Sequence, residues 1–239
     1  EGAKAYQVAV NLNGNWQPAK TGVLPAAVNE ALSGSVAWDG KVGIVLPYHA
    51  GATYNVELNG DLKNVSSHLP SPLAKPAGEP LPVNVKVDGN LNSFDLTGQA
   101  GADNHFNSRW LLGQKLTLDR AIWAADSKTL PPLPEQSGVE LNMPPMNGAE
   151  WLALFQKGAA ESVGGAASFP QHITLRTPML SLGNQQWNNL SIVSQPTANG
   201  TQVEAQGREI NATLAMRNNA PWLANIKYLY YNPSVAKTR

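Results

Sequence analysis

The chain has no cysteine and little charge. Among its 239 residues, charged side chains make up 14%, and lysine plus arginine equals aspartate plus glutamate at 17 each. An ordinary globular domain carries about 25% charged residues. Without cysteine, neither a disulfide framework nor a thiolate metal site can form. Without a basic excess, no surface field attracts a phosphate backbone, so we expect no nucleic-acid partner.

Long apolar runs are missing too. No stretch approaches the roughly 18 apolar residues that mark a membrane-spanning helix. The first residues, Glu1–Lys4, lack the apolar region of a signal peptide. The chain starts without methionine and stops abruptly at Lys237–Arg239. We therefore expect a soluble piece of something longer.

The sequence also lacks catalytic signatures. It contains no Gly-x-Ser-x-Gly, His-Glu-x-x-His, phosphate-loop or dinucleotide-binding pattern. A structural zinc site needs four ligands, and the four histidines are scattered without a carboxylate at ligand spacing. They are His49, His68, His105 and His172. We expect no enzyme activity, no cofactor and no metal.

What the sequence does have is strict alternation of apolar and polar residues. Residues 54–62 and 83–91 are almost copies of each other, with Gly60 and Gly89 standing 29 positions apart. Residues 203–210 form a weaker third copy. Period-two alternation puts every apolar side chain on one side of a strand. Each of the first two copies is thus predicted to be a strand with one apolar face, and in the third copy Val203 and Ala205 predict a strand. The polar alternates predicted to face solvent are Asn55, Glu57, Asn84 and Lys86.

Further strands follow from similar patterns. The predicted positions are Val8–Val10, Val42–Leu46, Phe94–Thr97, Leu116–Ile122, Ile173–Leu175, Leu180–Leu182, Leu190–Ile192, Ile210–Met216 and Trp222–Tyr230. A change of register near Asn92 and Ser93 predicts a bulge. The Asn-Gly pair at Asn199 and Gly200 predicts a hairpin turn.

One helix and two connections complete the prediction. Asn147 as N-cap, Glu150 three residues later and Gly158 as a stop predict a helix at about 148–157. Pro-rich stretches near 66–82 and 131–146 are predicted to be connections, because proline fixes φ and removes a hydrogen-bond donor. The predicted fold class is mainly β, mostly antiparallel, with one short helix.

Two features invite a functional interpretation, and both have a plainer one. The polar cluster Asp103–Arg109 could present a base and a cation to a substrate. We favour a turn whose side chains bond their own backbone. The seven tryptophans could form a carbohydrate platform, but they are spread along the chain, so packing in a core or rim is favoured.

The apolar stripes themselves allow two interpretations. They could form the dry interior of a β-sandwich. They could instead line an open trough, since a strand of nine residues spans about 30 Å, enough to cup acyl chains. The alternation alone does not separate these two options.

Six stretches, taken in order, carry a family resemblance. They are Leu46–Gly51 (LPYHAG), Ser67–Pro72 (SHLPSP), Asn104–Leu112 (NHFNSRWLL), Gly148–Phe155 (GAEWLALF), Leu175–Leu190 (LRTPMLSLGNQQWNNL) and Ile226–Pro233 (IKYLYYNP). Together they resemble the AsmA-like family of Gram-negative envelope proteins, over nearly the whole chain. None of the six is a catalytic signature, so the specificity of the resemblance rests on their order and number.

The resemblance implies a fold and a function. Such proteins are anchored in the inner membrane by an N-terminal helix and extend across the periplasm. Their repeated β elements form a long curved antiparallel sheet with a hydrophobic groove that passes phospholipids toward the outer membrane. This chain, residues 1–239, would be a single segment of that groove. Its partners would be phospholipids, neighbouring segments of the same full-length chain and, through the full-length protein, both membranes.

On this interpretation, the apolar members of the predicted strands line the groove. They are Tyr54, Val56, Leu58, Leu62, Val83, Val85, Val87, Leu91, Leu116, Leu118, Ile122, Ile173, Leu175, Leu190, Ile192, Val203, Leu214, Ile226 and Tyr228. The predicted helix would cap or plug one side. The alternatives are a carbohydrate- or peptidoglycan-binding β-sandwich, or a structural scaffold domain of an envelope protein.

Overall fold

Strands make up most of the molecule. The computed structural model describes residues 5–20, 26–159 and 167–231. Its strands are β1 (Ala5–Trp16), β2 (Leu32–Ser33), β3 (Val36–Pro47), β4 (Thr53–Asp61), β5 (Ser66–Ser67), β6 (Pro82–Asn90), β7 (Ser93–Ala100), β8 (Asn104–Leu111), β9 (Leu116–Ala124), β10 (Gly138–Asn142), β11 (Met146–Asn147), β12 (Ala167–Ser168), β13 (Ile173–Leu182), β14 (Gln185–Thr197), β15 (Gly200–Gln206), β16 (Ile210–Arg217) and β17 (Leu223–Leu229). The helices are α1 (Ala26–Asn29) and α2 (Gly148–Ala159), with 3-10 turns at Pro18–Lys20 and Leu62–Asn64.

Fifteen of these strands form one open sheet. The order along it is β1-β3-β4-β6-β7-β8-β9-β10-β13-β14-β15-β16-β17, with β11 beside β13 and β12 beside β9. Strands β2 and β5 form a separate antiparallel pair. The predicted mainly β, largely antiparallel fold with one short helix is confirmed. Four pairings are parallel, namely β9 with β10, β10 with β13, β11 with β13 and β12 with β9.

The two near-identical stretches pair with each other. Strands β4 and β6 are antiparallel neighbours, with Val56 opposite Val87 and Leu58 opposite Val85. Directly paired residues in a sheet point to the same side. Both apolar stripes therefore lie on one face, which we call the apolar face, and the opposite side of the sheet is the polar face.

The apolar face continues across the sheet through successive registers. One unbroken row of paired residues runs from β1 to β9 through Val10, Val42, Val56, Val87, Leu96, Ser108 and Ala121. The row goes on through Val139, Ile173, Ser194, Val203 and Leu214 to Ala224 in β17. This row fixes which side chains of each strand share the apolar face.

The connection between β9 and β10 lies over the polar face. Residues 125–137 connect β9 to β10, and because these strands are parallel the connection must travel back along the sheet. Asn107 Nδ2 donates to Pro131 O at 3.0 Å, and Arg120 Nη1 donates to Pro134 O at 3.1 Å. Since Asn107 and Arg120 belong to the polar face, this Pro-rich connection lies over it.

The two rims of the sheet differ. At one, the turn rim, short turns at 48–52, 91–92, 112–115 and 198–199 join the strands. At the other, the covered rim, longer segments accumulate, namely 62–81 and 143–159 together with α1 and β2. They contact each other, since His68 N donates to Ala31 O at 2.8 Å and Trp151 Nε1 donates to Ser71 O at 3.0 Å.

Helix α2 confirms the predicted element at 148–157. Asn147 Oδ1 accepts from the backbone N–H of Ala149 at 3.1 Å and of Glu150 at 3.3 Å, the N-cap geometry. The indole of Trp151 packs against a small buried cluster at the covered rim. That cluster is Ala125, Met143 and Met146, with Trp123, Leu141, Leu175 and Leu180 packed around it.

Three local predictions differ from the structure. The register change near Asn92 and Ser93 is a hairpin turn rather than a bulge, because Asn90 Oδ1 accepts from both backbone N–H groups at 2.8 and 3.0 Å. The polar cluster from Asp103 to Arg109 lies mostly in strand β8 rather than in a turn. The range 131–146, predicted as a connection, also contains β10 in the middle of the sheet.

The described residues do not form a two-layer sandwich. They hold one large sheet, and no second sheet covers its apolar face beyond the β2–β5 pair. Among the side chains that the structure describes, Ser108 is the largest that is fully buried, and Val10 in β1 is 41% exposed. Within the described ranges, no helix has both the length and the apolar character needed to cross a membrane.

Candidate functional site

Most of the predicted groove residues share the apolar face. Pairing places fifteen of the nineteen there, spread over eight strands from β4 to β17. They are Tyr54, Val56, Leu58, Val83, Val85, Val87, Leu116, Leu118, Ile173, Leu175, Leu190, Ile192, Val203, Leu214 and Ile226. The structure therefore brings together, on one surface, residues that are up to 172 positions apart in the chain.

Four predicted residues lie elsewhere. Leu62 follows β4 in a 3-10 turn and Leu91 is 66% exposed in the β6–β7 turn. Ile122 pairs with Asn107 and Glu140 on the polar face, where it is buried. Tyr228 pairs with Asn211, also on the polar face, and its hydroxyl donates to Gly207 O at 2.6 Å.

Bulges explain the placement of Ile122 and Tyr228. In β9, Arg120 pairs with Arg109 and Leu118 pairs with Trp110, which leaves Asp119 as an extra residue. In β17, a similar shift leaves Lys227 between Ile226 and Tyr228. One inserted residue reverses the side to which all later side chains point.

The apolar face also contains residues that the sequence reasoning missed. Pairing adds the following side chains: Val8, Val10, Leu12, Trp16, Trp38, Val42, Ile44, Phe94, Leu96, Phe106, Trp110, Trp123, Val139 and Leu141. The alternation in β1 and β3 could have identified their members. Those of β8 and β10 needed the pairing itself, since one strand is rich in polar residues and the other is short.

Four tryptophans belong to this face, but the structure shows packing rather than a stacking platform. A Cβ atom added at Gly14 would lie 2.7 Å from Cζ2 of Trp38. The indole of Trp38 therefore lies directly on the neighbouring strand, where only glycine leaves room. Trp110 stacks on Phe94, with ring centroids 6.1 Å apart and an interplanar angle of 12°.

The hydroxyl of Ser108 lies on the apolar face, and both its donor and an acceptor site are used within the protein. Ser108 Oγ donates to Leu96 O at 2.9 Å and accepts from Trp110 Nε1 at 3.0 Å. Because both polar groups are used within the protein, the face offers no unpaired hydrogen-bonding group there. The same bonds hold the indole of Trp110 in place beside Phe94.

Two cavities lie along the covered end of the apolar face. The larger, of about 570 Å³, is bounded by the 62–81 segment and by Ala100, Phe106 and Trp123 of the sheet. The smaller, of about 270 Å³, is lined by Trp16, Trp38, Leu58, Leu62, Val83 and neighbouring residues. Leu62 contributes to both cavities, so the two lie next to each other.

The charges lie mainly on the polar face. Arg109 forms a two-pronged ion pair with Asp95, at 2.9 and 3.2 Å, and the hydrogen bond and charge of Asp95 raise the pKa of Arg109. A hydrogen bond from Ser137 Oγ, 2.6 Å from Asp119 Oδ1, lowers the pKa of Asp119, and Arg120 acts in the same direction. Among the described residues, no group of acidic or histidine side chains could hold a metal ion.

The two faces of the sheet differ in their chemistry. One side of the sheet is mostly apolar and partly accessible, whereas ion pairs lie mainly on the other. Such a surface can shield apolar matter from water, which is favourable by about 25 cal/mol per Å² of apolar surface covered.

Comparison with known proteins identifies a family and a similar protein. The profile of the YhdP protein family matches residues 2–239. The chain is 98% identical over all 239 residues to a curated protein of Escherichia coli (strain K12) named intermembrane phospholipid transporter YhdP. It spans 19% of that protein's length. No solved structure matches the chain significantly.

Proposed function

The chain belongs to the YhdP family, and from this premise we propose that it is one segment of a bridge that carries phospholipids between the inner and outer membranes. In this role its apolar face is the wall of a hydrophobic groove that shields acyl chains from water. The segment acts by binding and performs no chemical reaction. It works in the periplasm, as part of a full-length protein anchored in the inner membrane.

The observation that carries this proposal is the continuity of the apolar face. The same row of paired residues crosses all thirteen strands of the main path without meeting a charged side chain. A methylene group gains about 0.8 kcal/mol when it is fully buried, and part of this when it lies on an open apolar surface. A continuous face keeps that gain nearly constant from strand to strand, so a lipid can move along it without a large barrier.

The edges of the sheet support the same role. In the described part of the chain, β1 pairs only with β3 and β17 pairs only with β16. An edge strand presents a row of N–H and C=O groups that can pair with another strand. We propose that neighbouring segments of the full-length protein pair there, so that residues 1–239 contribute one stretch of a longer groove.

A photo-crosslinker tests which side of the sheet meets lipid. The unnatural residue is placed at Val56 or Val87 on the apolar face, and at Glu57 or Lys86 on the polar face as matched controls in the same strands. We expect crosslinks to phospholipid from the first pair only. Native mass spectrometry of the purified chain should show co-purifying phospholipid.

Two results would contradict the proposal. The first is a purified chain free of lipid together with no crosslink from either position on the apolar face. The second is equal crosslinking from both faces, because contact with lipid would then not depend on the apolar surface.

A further inference from the structure

The covered rim and the turn rim offer different surroundings to a lipid. Resting on the proposed function, we infer that a phospholipid lies along the strands, from one rim to the other, in one orientation. Its acyl chain ends reach under the 62–81 segment, in the cavity of about 570 Å³, and its headgroup stays at the turn rim. The ligand of that cavity is thus the terminal part of an acyl chain.

The shape of the cavity fits a chain end. Its volume lies within the range of about 300–1,000 Å³ that is typical of small-molecule sites. The floor is the apolar face, through Ala100, Phe106 and Trp123, and the opposite wall comes from Leu69 and Leu81 in the 62–81 segment. A chain end in this space has apolar atoms on two sides, whereas on the open face it has them on one.

The charged groups of this cavity do not suit a phosphate. Lys75 is its cation, and this side chain is only 9% exposed. Its Nζ donates to Val65 O and Pro76 O at 2.9 Å each and to Lys63 O at 3.4 Å. An ammonium group has three N–H donors, so all three are already used. Glu79 also lines the cavity and would repel an anion.

The turn rim has the opposite character. Most of its connections are turns of two to five residues, too short to fold back over the sheet. Strand β12 also lies at this rim, and after it the ring of Phe169 packs edge-on against Trp110. Lys115 in one of the turns is exposed, and Tyr48 in another is 74% exposed. A charged headgroup at this rim keeps its hydration and lies near a cation. At the covered rim it would lose water without gaining a hydrogen-bond donor from Lys75.

The distance between the two rims suits this orientation. Six residue steps separate Phe94 near the turn rim from Ala100 at the cavity, which is about 20 Å along the strand. One leaflet of a bilayer core, about half of 30 Å, is about 15 Å thick, and its chains are not fully extended. An acyl chain that enters beside Phe94 reaches the cavity only in a more extended conformation than it has in a leaflet.

Two photoreactive lipids test the orientation. Each is a phosphatidylglycerol in phosphatidylethanolamine vesicles, one with a diazirine on the terminal carbon of an acyl chain and the other with a diazirine on the headgroup. They are incubated with the 239-residue chain, and the crosslinked peptides are mapped by mass spectrometry. We expect the chain-end probe to label residues 62–81 and the headgroup probe to label the turns at 48–52, 91–92 and 112–115.

A pair of variants sharpens the test. Ala100→Trp fills the cavity, whereas Gln99→Trp adds the same indole one residue away on the polar face. We expect Ala100→Trp to reduce chain-end labelling of residues 62–81 by about tenfold, the effect of leaving two methylene groups in water. Headgroup labelling at the turn rim should remain, and Gln99→Trp should match the unmodified chain.

The outcomes separate this inference from the function beneath it. Chain-end labelling at the turn rim, or at both rims equally, would overturn the orientation while leaving the lipid-binding role intact. Unchanged labelling in a folded Ala100→Trp variant would do the same. An absence of labelling by either lipid would overturn the proposed function and the inference with it. The map from the unmodified chain decides the question even if a variant does not fold.

Discussion

Replacing Leu96 with glutamate places one negative charge in the middle of the apolar face. Leu96 lies in β7 between Val87 and Ser108, on the row that crosses the whole sheet. The matched control is Thr97→Glu, one residue further along the same strand. Thr97 points to the polar face and pairs directly with Lys86, which can neutralise the new carboxylate.

The size of the effect follows from what covers Leu96. In the lipid-free protein the side chain is half-buried, so a glutamate keeps much of its hydration and destabilises the fold by about 1 kcal/mol, an ordinary value for a point mutation. An acyl chain that lies over the carboxylate removes that hydration, at a cost of several kcal/mol. Taking about 3 kcal/mol for this cost, lipid affinity falls by about 100-fold.

The assay combines lipid occupancy with a measurement of folding. Native mass spectrometry gives the fraction of chain with bound phospholipid, and circular dichroism melting gives stability. We expect Leu96→Glu to melt close to the unmodified protein but to lose its lipid, and Thr97→Glu to keep both. If Leu96→Glu unfolded the protein, the apolar face would be a sealed interior. If both variants bound lipid equally, the face would not be the binding surface.

Three further predictions concern stability. Lys75→Met keeps the apolar part of the side chain but leaves buried carbonyl groups without a donor. We expect the free energy of unfolding, measured with urea, to fall by about 1–3 kcal/mol. Lys63→Met, at an exposed position, should change it very little. Ser137→Ala removes the hydrogen bond that lowers the pKa of Asp119 in the folded protein. A lowered pKa stabilises the fold above the ordinary aspartate pKa of about 3.9, and this stabilisation is lost as the pH falls through the lower folded value. The variant should therefore be less stable than the unmodified protein at pH 7 and equally stable in acid. Asn147→Ala removes the cap of α2 and should cost about 1 kcal/mol, and an unchanged melting temperature would contradict the cap.

Strands with one-sided patterns could be predicted from sequence because their information is local. Strands β4, β6 and β15 show alternation over at least four residues, and each lies at the predicted position. Helix α2 is preceded by its own N-cap, Asn147, so the start of the helix could also be predicted from the sequence. In both cases the signal depends only on neighbours in the chain and not on tertiary contacts.

Bulges limited the prediction of the site. Alternation through Leu116 and Leu118 predicts Ile122 on the same side, but the extra residue Asp119 reverses the later part of β9. The same happens to Tyr228 after Lys227 in β17. A bulge is set by pairing with the neighbouring strand, and a single sequence holds little trace of it.

Strands β8 and β10 could not be predicted from the sequence, for a different reason. Strand β8 carries Asn107 and Arg109, whose polar groups bond to Pro131 and Asp95 from elsewhere in the chain. Strand β10 has five residues between Pro-rich stretches and is held by parallel partners on both sides. Their stability comes from distant residues, so local pattern alone underestimates it.

Because the sheet is open at both edges, its length across the strands is not fixed. A closed barrel fixes its own circumference, but a sheet with two unpaired edges can grow by whole hairpins without any change in cross-section. Thirteen strands in the main path, at about 4.8 Å per spacing, measure about 58 Å from first to last. Adding or deleting one hairpin alters that span by roughly 10 Å. The number of hairpins therefore sets the length of such a sheet, and under the proposed function this length could be matched to the distance between two membranes.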